Sequence, residues 1–91
     1  MIDWNEHRYT ARNPVRCIFK PRETYKGRPL KAGVKKLAGA EMLLQAMWQC
    51  EADENYPGEF ALEGADDATK ALLRSADIGW VASGDVEPAN G

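Results

Sequence analysis

The sequence predicts a small single domain of the α+β class, an antiparallel sheet with two helices packed on one face. Three observations lead to this prediction. The chain has 91 residues, which suits one modest core. Apolar and polar residues alternate in short segments, as in half-buried strands. Two longer segments instead show helical spacing. The expected element order is roughly β-β-β-α-β-α-β, with residues 1–82 forming the domain and residues 83–91 a flexible tail.

The first strands are predicted from alternation. The segment Val15 to Lys20 places Val15, Cys17 and Phe19 on one face, which is typical of a core-directed surface, and leaves a largely basic surface on the other. Residues 6–11 are a further candidate strand. The stronger pattern predicts a strand that is half buried.

Three more extended segments are expected. Residues 25–30 indicate a turn into a second extended segment that ends near Gly33, and with the first strand this forms a hairpin whose open face is cationic. Phe60 and Leu62 alternate with polar neighbours, as in a short strand. Residues 78–82 alternate again, which predicts a final strand or an extended segment that docks a tryptophan.

The helices are predicted from apolar spacing and charge. From about Val34 to Cys50 the chain is apolar nearly all round, and its only continuous polar stripe is Glu41, Gln45 and Gln49. Such a helix is either the central core helix or one that also packs on a partner. Residues 64–75 form the second predicted helix, because its first turn is acidic and its last turn is basic.

Charge is segregated along the chain. Residues 1–36 hold ten Lys/Arg and three Asp/Glu, whereas residues 37–91 hold two Lys/Arg and eleven Asp/Glu. This asymmetry predicts two distinct surfaces, one suited to phosphates or acidic proteins and the other to basic proteins. The alternative is that these charges lie on a solvated face or pair with one another inside the fold.

Two sets of candidate binding residues follow from the charge pattern. The basic half supplies a candidate anion-binding set, Arg16, Lys20, Arg22, Lys35 and Lys36. The acidic half supplies a candidate partner-binding set, Glu51, Asp53, Glu54, Glu59, Glu63, Asp66 and Asp67. An acidic surface of this kind can imitate a phosphate backbone and occupy a partner's basic groove. Its alternative role is solubility and helix capping.

Lys35 and Lys36 have two possible placements. If the long helix begins near Val34, both cations lie in its first turn beside free backbone N–H groups, and together they would bind a phosphate or a carboxylate. If the helix begins near Gly39, both lysines lie in a solvated loop and Glu41 lies in the first turn.

Residues 15–47, which include KKLAGAEMLLQAM after the expected hairpin, resemble the C-terminal part of the double-stranded-RNA-binding domain family. Lys35, Lys36 and Ala38 match the KKxA pattern of that family. The resemblance implies a unit of β-hairpin plus helix, in which the paired lysines contact the nucleic-acid backbone.

The sequence contains no recognisable catalytic, metal or cofactor motif. His7 is the only histidine, and the two cysteines, Cys17 and Cys50, have no CxxC neighbour. Without an export signal, the cysteines are expected to be reduced and buried rather than joined in a disulfide. No apolar run reaches 18 residues. We therefore expect a cytoplasmic, non-enzymatic protein that has no cofactor and no membrane segment.

Two functions are compatible with these features. The first is a small protein that binds another protein through a charged surface, with exposed aromatic residues such as Trp4, Tyr9 or Tyr56 as anchors. In general character it resembles small inhibitors carried by phages and mobile elements, including anti-CRISPR proteins, which suggests a target among nucleic-acid-handling proteins. The second is a nucleic-acid-binding module that uses the basic half. Either function is compatible with a homodimer packed through the helix expected from Met42 to Cys50.

Overall fold

The computed structural model describes residues 2–22, 24–25, 28–29, 32–49 and 60–89. In chain order the strands and α-helices of these ranges are β1 (Val15–Phe19), β2 (Thr24–Tyr25), β3 (Arg28–Pro29), α1 (Ala32–Lys36), β4 (Glu41–Gln49), β5 (Phe60–Gly64), α2 (Asp67–Ser75), β6 (Val81–Ala82) and β7 (Val86–Pro88). Short 3-10 helices cover Trp4–His7, Tyr9–Ala11 and Ser83–Asp85. The predicted α+β class is confirmed.

The main sheet has five antiparallel strands in the order β6-β5-β4-β1-β7. β4 is the central strand and has nine residues. Its register with β1 places Cys17 opposite Met42, so two fully buried side chains meet on one face. β2 and β3 form a separate two-stranded ladder. The sheet therefore extends from β4 in both directions and ends at β6 and β7.

The sheet curls because a short segment connects its two edges. β6 ends at Ala82 and β7 begins at Val86, with only the 3-10 helix Ser83–Asp85 between them. Four Cα steps span at most about 14 Å. The edges of a flat five-stranded sheet would be four strand spacings apart, or about 19 Å. The connection therefore draws the two edges together and encloses the inner face.

The enclosed face carries the hydrophobic core. The buried side chains that the sheet contributes are Cys17, Phe19, Met42, Leu44, Ala46, Leu62 and Val81. Three more buried side chains come from outside the sheet: Trp4 from the first 3-10 helix, Leu37 from the turn after α1, and Leu73 from α2. These three elements therefore cover the same face.

α2 makes polar contacts with the sheet at close range. The Thr69 hydroxyl accepts a hydrogen bond from the backbone N–H of Leu43 at 3.0 Å, and Thr69 is buried. Asp66 caps the helix by accepting from the N–H of Thr69 at 2.8 Å. Gly64 permits the close approach, since a Cβ there would lie 3.0 Å from the backbone nitrogen of Lys70. The start of α2 is thus held directly against β4 and β5.

The prediction of a long helix from Val34 to Cys50 is wrong. α1 ends at Lys36, a turn with Gly39 at φ 85° follows, and the rest of the segment up to residue 49 is β4. The helix that carried the predicted homodimer interface is therefore absent from the described residues, and the homodimer itself stays a prediction. Instead, Met42 and the other inner residues of β4 are buried in the core.

The polar stripe that indicated a helix has a simple explanation in the strand. Glu41, Gln45 and Gln49 are spaced four residues apart, and residues with this spacing share a face in a helix and also in a regular strand. In β4 the side chains of Met42, Leu44 and Ala46 are buried, whereas Glu41 is exposed. The stripe therefore could not distinguish the two structures.

Three shorter segments also differ from the predictions. Residues 6–11 lie in two 3-10 helices and an isolated bridge rather than in a strand. β1 pairs with β4 and β7, whereas the described strands of the expected second segment, β2 and β3, pair with each other. Residues 83–91, expected to be a tail, contribute β7 to the sheet. A strand of three residues is too short to show a clear period in the sequence.

Substitution of Gly64 tests the close approach of α2. Gly64→Ala would place a Cβ 3.0 Å from the Lys70 nitrogen and 3.1 Å from the Thr69 methyl group, so these neighbours must give way by a few tenths of an ångström. We expect a loss of about 1–3 kcal/mol in the free energy of unfolding, measured by urea denaturation. Gly79→Ala is the matched control, because no atom lies within 4 Å of its Cβ position. Equal stability of the two variants would contradict the expected clash.

Substitution of Thr69 tests the hydrogen bond between α2 and β4. Thr69→Val keeps the shape of the side chain but leaves the Leu43 N–H without its acceptor, which we expect to lower the free energy of unfolding by about 1–3 kcal/mol. Thr69→Ser retains the hydroxyl and should lose less. A valine variant as stable as the serine variant would show that the hydroxyl contributes nothing.

Candidate binding surface

Three residues of the candidate anion-binding set are paired with acidic residues of the other half of the chain. The ion pairs are Arg16–Glu41 at 3.6 Å, Lys20–Glu87 at 2.5 Å and Arg22–Asp85 at 2.7 Å. The first two pairs are half exposed and contribute little stability. The third is more enclosed, with the Arg22 and Asp85 side chains 31% and 13% exposed. Folding therefore brings together charges that the sequence separates.

Lys35 and Lys36 lie in the last turn of α1, not in the first turn of a long helix. The carbonyl groups at a helix C-terminus attract cations, so these lysines suit the helix but do not flank free N–H groups. The anion site predicted at a helix start is therefore not formed. The residues that follow form β4 in place of the helix implied by the resemblance to double-stranded-RNA-binding domains.

The candidate acidic set divides into two groups. Four of its members lie outside the described residues, namely Glu51, Asp53, Glu54 and Glu59. Of the other three, Glu63 accepts a hydrogen bond from the side-chain amide of Gln45 at 2.9 Å, and Asp66 caps α2. Asp67 is exposed in the first turn of α2. Two of the described acidic candidates thus have structural partners, and Asp67 faces solvent.

Trp80 is positioned by the way the chain leaves α2. Asp77 adopts the left-handed conformation, with φ 56°. The N–H of Ile78 then donates to the Leu73 carbonyl at 2.9 Å, and the N–H of Asp77 donates to the Arg74 carbonyl at 3.0 Å. This is the Schellman pattern of helix termination. It turns the chain back toward the core at Ile78, and Trp80 follows two residues later.

Trp80 is the exposed large apolar side chain of the described residues, with 37% of its surface accessible. It lines an open groove of about 170 Å³ between α1, β1 and the β6–β7 connection. The other lining residues are Phe19, Val34, Ile78, Val81, Ala82 and Asp85. We refer to this depression as the Trp80 groove. Its walls are apolar apart from Asp85.

Asp85 also connects the groove to the sheet. Its carboxylate Oδ1 accepts from Arg22 Nε at 2.7 Å and from the Arg22 backbone N–H at 3.4 Å. Its backbone carbonyl accepts from the N–H of Lys20 at 2.7 Å. Asp85 therefore holds the chain after β1 against the connection between the sheet edges.

The chain matches no protein-family model, no curated protein and no solved structure. The case for a function therefore depends on the geometry of these surfaces.

Three depressions among the described residues are larger than the Trp80 groove and have less specific chemistry. One, of about 370 Å³, runs beside α2, and its charged lining residues are Lys70, Arg74, Glu63 and Asp77, two of each sign. A second, of about 500 Å³, lies between β5 and β7 and is mostly apolar, with Trp4 and Phe60 among its walls. A third, of about 470 Å³, lies beside the first 3-10 helix, and its charged lining residues are Asp3, Glu6 and Arg16. Trp4 is only 6% exposed and so does not provide the exposed anchor predicted from the sequence. None of these three depressions is lined by Trp80, the exposed large apolar side chain of the described residues.

Among the described residues, the side chains best suited to nucleophilic or metal chemistry, Cys17 and His7, are buried or hydrogen-bonded to the backbone. Cys17 is a free, buried thiol, and desolvation raises its pKa to about 11, so it is protonated at neutral pH. Cys50 lies outside the described residues. The Nδ1 of His7 donates to the Asn13 carbonyl at 2.7 Å. Within the described ranges, no three His, Cys, Asp or Glu side chains are grouped to hold a metal ion, and no helix is long and apolar enough to cross a membrane.

The sequence did not reveal the two residues that characterise the Trp80 groove, Trp80 and Asp85. The alternating segment 78–82 predicts a final strand or an extended segment that docks a tryptophan, and neither alternative predicts an exposed indole ring. The signal against burial is local: Gly79 precedes it, and Val81 directly follows it, so one of the two adjacent side chains must face away from the core. Asp85 had no local signal, because its partner Arg22 is 63 positions away.

The cap of α2 gives a pH-dependent prediction. Hydrogen bonding by Thr69 lowers the pKa of Asp66 below its usual 3.8, so the ionised carboxylate is favoured in the folded state. Its stabilising contribution is present above the unfolded pKa and is lost as the pH falls through the folded pKa. Asp66→Asn keeps a capping side chain without the charge. We expect wild type to have the higher thermal midpoint at pH 7 and the two midpoints to converge in acid.

The measurement is a series of thermal unfolding curves from neutral to acidic pH for both proteins. Asp67→Asn is the matched control, because Asp67 is an exposed residue that does not cap the helix. A difference between wild type and Asp66→Asn that stays constant at every pH would contradict the role of the ionised cap.

Proposed function

We propose that this protein acts by binding another protein and occupying part of its surface, without catalysing a reaction. The observation that carries the proposal is the exposed Trp80 at the side of an open groove. Exposed tryptophans that pack into a partner are over-represented among residues that dominate binding energy. The rest of the domain supplies a rigid support, since Val81 and Phe19 beside the groove belong to the core.

The size of the groove favours a macromolecular partner. Pockets for free small molecules and cofactors usually measure about 300–1,000 Å³. The Trp80 groove, at about 170 Å³, is smaller. The groove can hold one side chain of a partner, while the rest of the partner contacts the surface around the groove.

The charge of the protein supports a partner with basic character. The protein has a formal net charge of −2, and three of its N-terminal cations are already paired with acidic residues. Asp67 remains exposed at the start of α2. The narrower predictions, a cytoplasmic inhibitor of a nucleic-acid-handling protein of the anti-CRISPR type and a binding surface formed by the seven acidic residues, stay predictions.

The nucleic-acid-binding alternative has less support. Its proposed positioning pair, Lys35 and Lys36, is exposed but lies at the C-terminal end of a five-residue helix. The other three candidate cations, Arg16, Lys20 and Arg22, are each paired with a carboxylate. Phosphate contact at these positions would first require those ion pairs to open.

Removal of the Trp80 side chain tests the proposal. A tagged wild-type protein should capture a specific partner from a lysate of its native cells, and Trp80→Ala should reduce the apparent affinity for that partner at least about tenfold. Ile18→Ala is the matched control, because it shortens a partly buried apolar side chain that does not line the groove. The unfolding midpoint of each variant is measured alongside.

Two outcomes would contradict the proposal in different ways. Undiminished capture by Trp80→Ala, with capture lost in Asp67→Lys, would move the binding surface to the acidic start of α2. Binding of labelled RNA or DNA duplexes that weakens steeply between about 50 and 200 mM salt and is lost in a Lys35→Glu, Lys36→Glu variant would favour the nucleic-acid function.

A further inference from the structure

The Trp80 groove combines apolar walls with one acidic group. Asp85 is the charged residue among those that line it, and Trp80 contributes an exposed indole ring. Lys35 and Lys36, which follow Val34 in α1, do not line the groove, and neither does Arg22. A ligand group in the groove therefore meets a carboxylate and an aromatic surface, without a cation among the lining residues.

The carboxylate of Asp85 is only partly satisfied by the described residues. Both contacts from Arg22 end on Oδ1. No described residue donates a hydrogen bond to Oδ2. The side chain is 13% exposed, so few water molecules can reach it. An enclosed carboxylate oxygen is stabilised by an additional donor, and most strongly by a charged one.

The indole ring of Trp80 also favours a positively charged ligand group. Among the aromatic side chains, tryptophan attracts cations to its ring face most strongly, and arginine is a more frequent partner than lysine. The guanidinium group is planar and more weakly hydrated than an ammonium group, so it can stack on an aromatic ring and donate to a carboxylate at once. Its aliphatic stem suits the apolar walls formed by Val34 and Ile78.

The volume of the groove fits one such side chain. A cavity of about 150 Å³ in a protein accommodates a group the size of benzene. The Trp80 groove is slightly larger, at about 170 Å³, and it is open to solvent on one side. One long side chain can therefore enter from a partner while the partner's backbone remains outside.

We propose that the Trp80 groove binds an arginine side chain of the partner protein, stacked on Trp80 and hydrogen-bonded to Asp85. This inference rests on the proposed protein-binding function and specifies the chemistry that the groove recognises.

Short blocked peptides test the chemistry without the natural partner. The probe is acetyl-Gly-Arg-Gly-amide, and the matched controls contain citrulline, which is nearly the same shape but neutral, or norleucine, which is only apolar. Binding is followed by the NMR shift of the Trp80 indole N–H, assigned by its absence in Trp80→Phe. We expect saturable binding of the arginine peptide in about the millimolar range and at least about tenfold weaker binding of both controls.

A pair of variants separates recognition from a structural effect. Asp85→Asn and Arg22→Gln both break the Arg22–Asp85 ion pair, but only the first removes the carboxylate. We expect Asp85→Asn to weaken binding of the arginine peptide about tenfold. Arg22→Gln should strengthen it severalfold, since the carboxylate loses its internal cation. If both variants weaken binding equally, Asp85 acts only by holding the fold, and the inference is overturned.

The peptide result and the capture result are independent. Equal binding of the arginine, citrulline and norleucine peptides, or no shift with any of them, overturns the arginine inference while a Trp80-dependent partner still supports the proposed function. If the arginine peptide binds selectively but Trp80→Ala captures the partner as well as wild type does, the result supports the chemistry of the groove and contradicts the proposed function.

Discussion

The three residues Ser83–Asp85 determine the shape of the whole domain, because they join strands at opposite edges of one sheet. A connection this short permits only a curled sheet, and the curled sheet encloses a core on one face. It also places Trp80, which precedes β6, near Asp85, which precedes β7, although the two strands are at opposite ends of the strand order. The groove is thus a consequence of the same connection that closes the core.

Pairing between the two halves changes what the charge segregation means. In the folded domain, acidic residues from the second half lie beside cations of β1 and of the residues that follow it. Opposite charges a few ångströms apart cancel at longer distances, and salt screens what remains. The protein therefore has less long-range field than its sequence suggests. For the proposed partner binding, short-range contacts in the Trp80 groove would therefore contribute more than long-range electrostatic attraction.

Elements whose signals are local were predictable from the sequence. The residues of α2 carry an acidic start, a basic end and a capping side chain within one segment, and β1 shows its two faces within five residues. β4 was not predictable in this way. It is a central strand in which apolar residues occupy both faces, so the sequence shows too few polar residues to reveal the alternation between its two faces. The pairing partners of β1 and of Asp85 lie far away in the chain, so no local pattern encodes them.

The pairing of β1 with β7 has a consequence for how the chain acquires its structure. Cys17 lies opposite Pro88, so this contact joins positions 17 and 88, which are 71 residues apart. Contacts of such long sequence separation slow folding, because a large loop must close before they form. During synthesis on the ribosome, one edge of β1 stays unpaired until residues 86–88 have emerged. An open strand edge is a template for association with other chains, so the nascent protein passes through a stage in which the edge of β1 is open to such association, and β7 covers that edge in the finished domain.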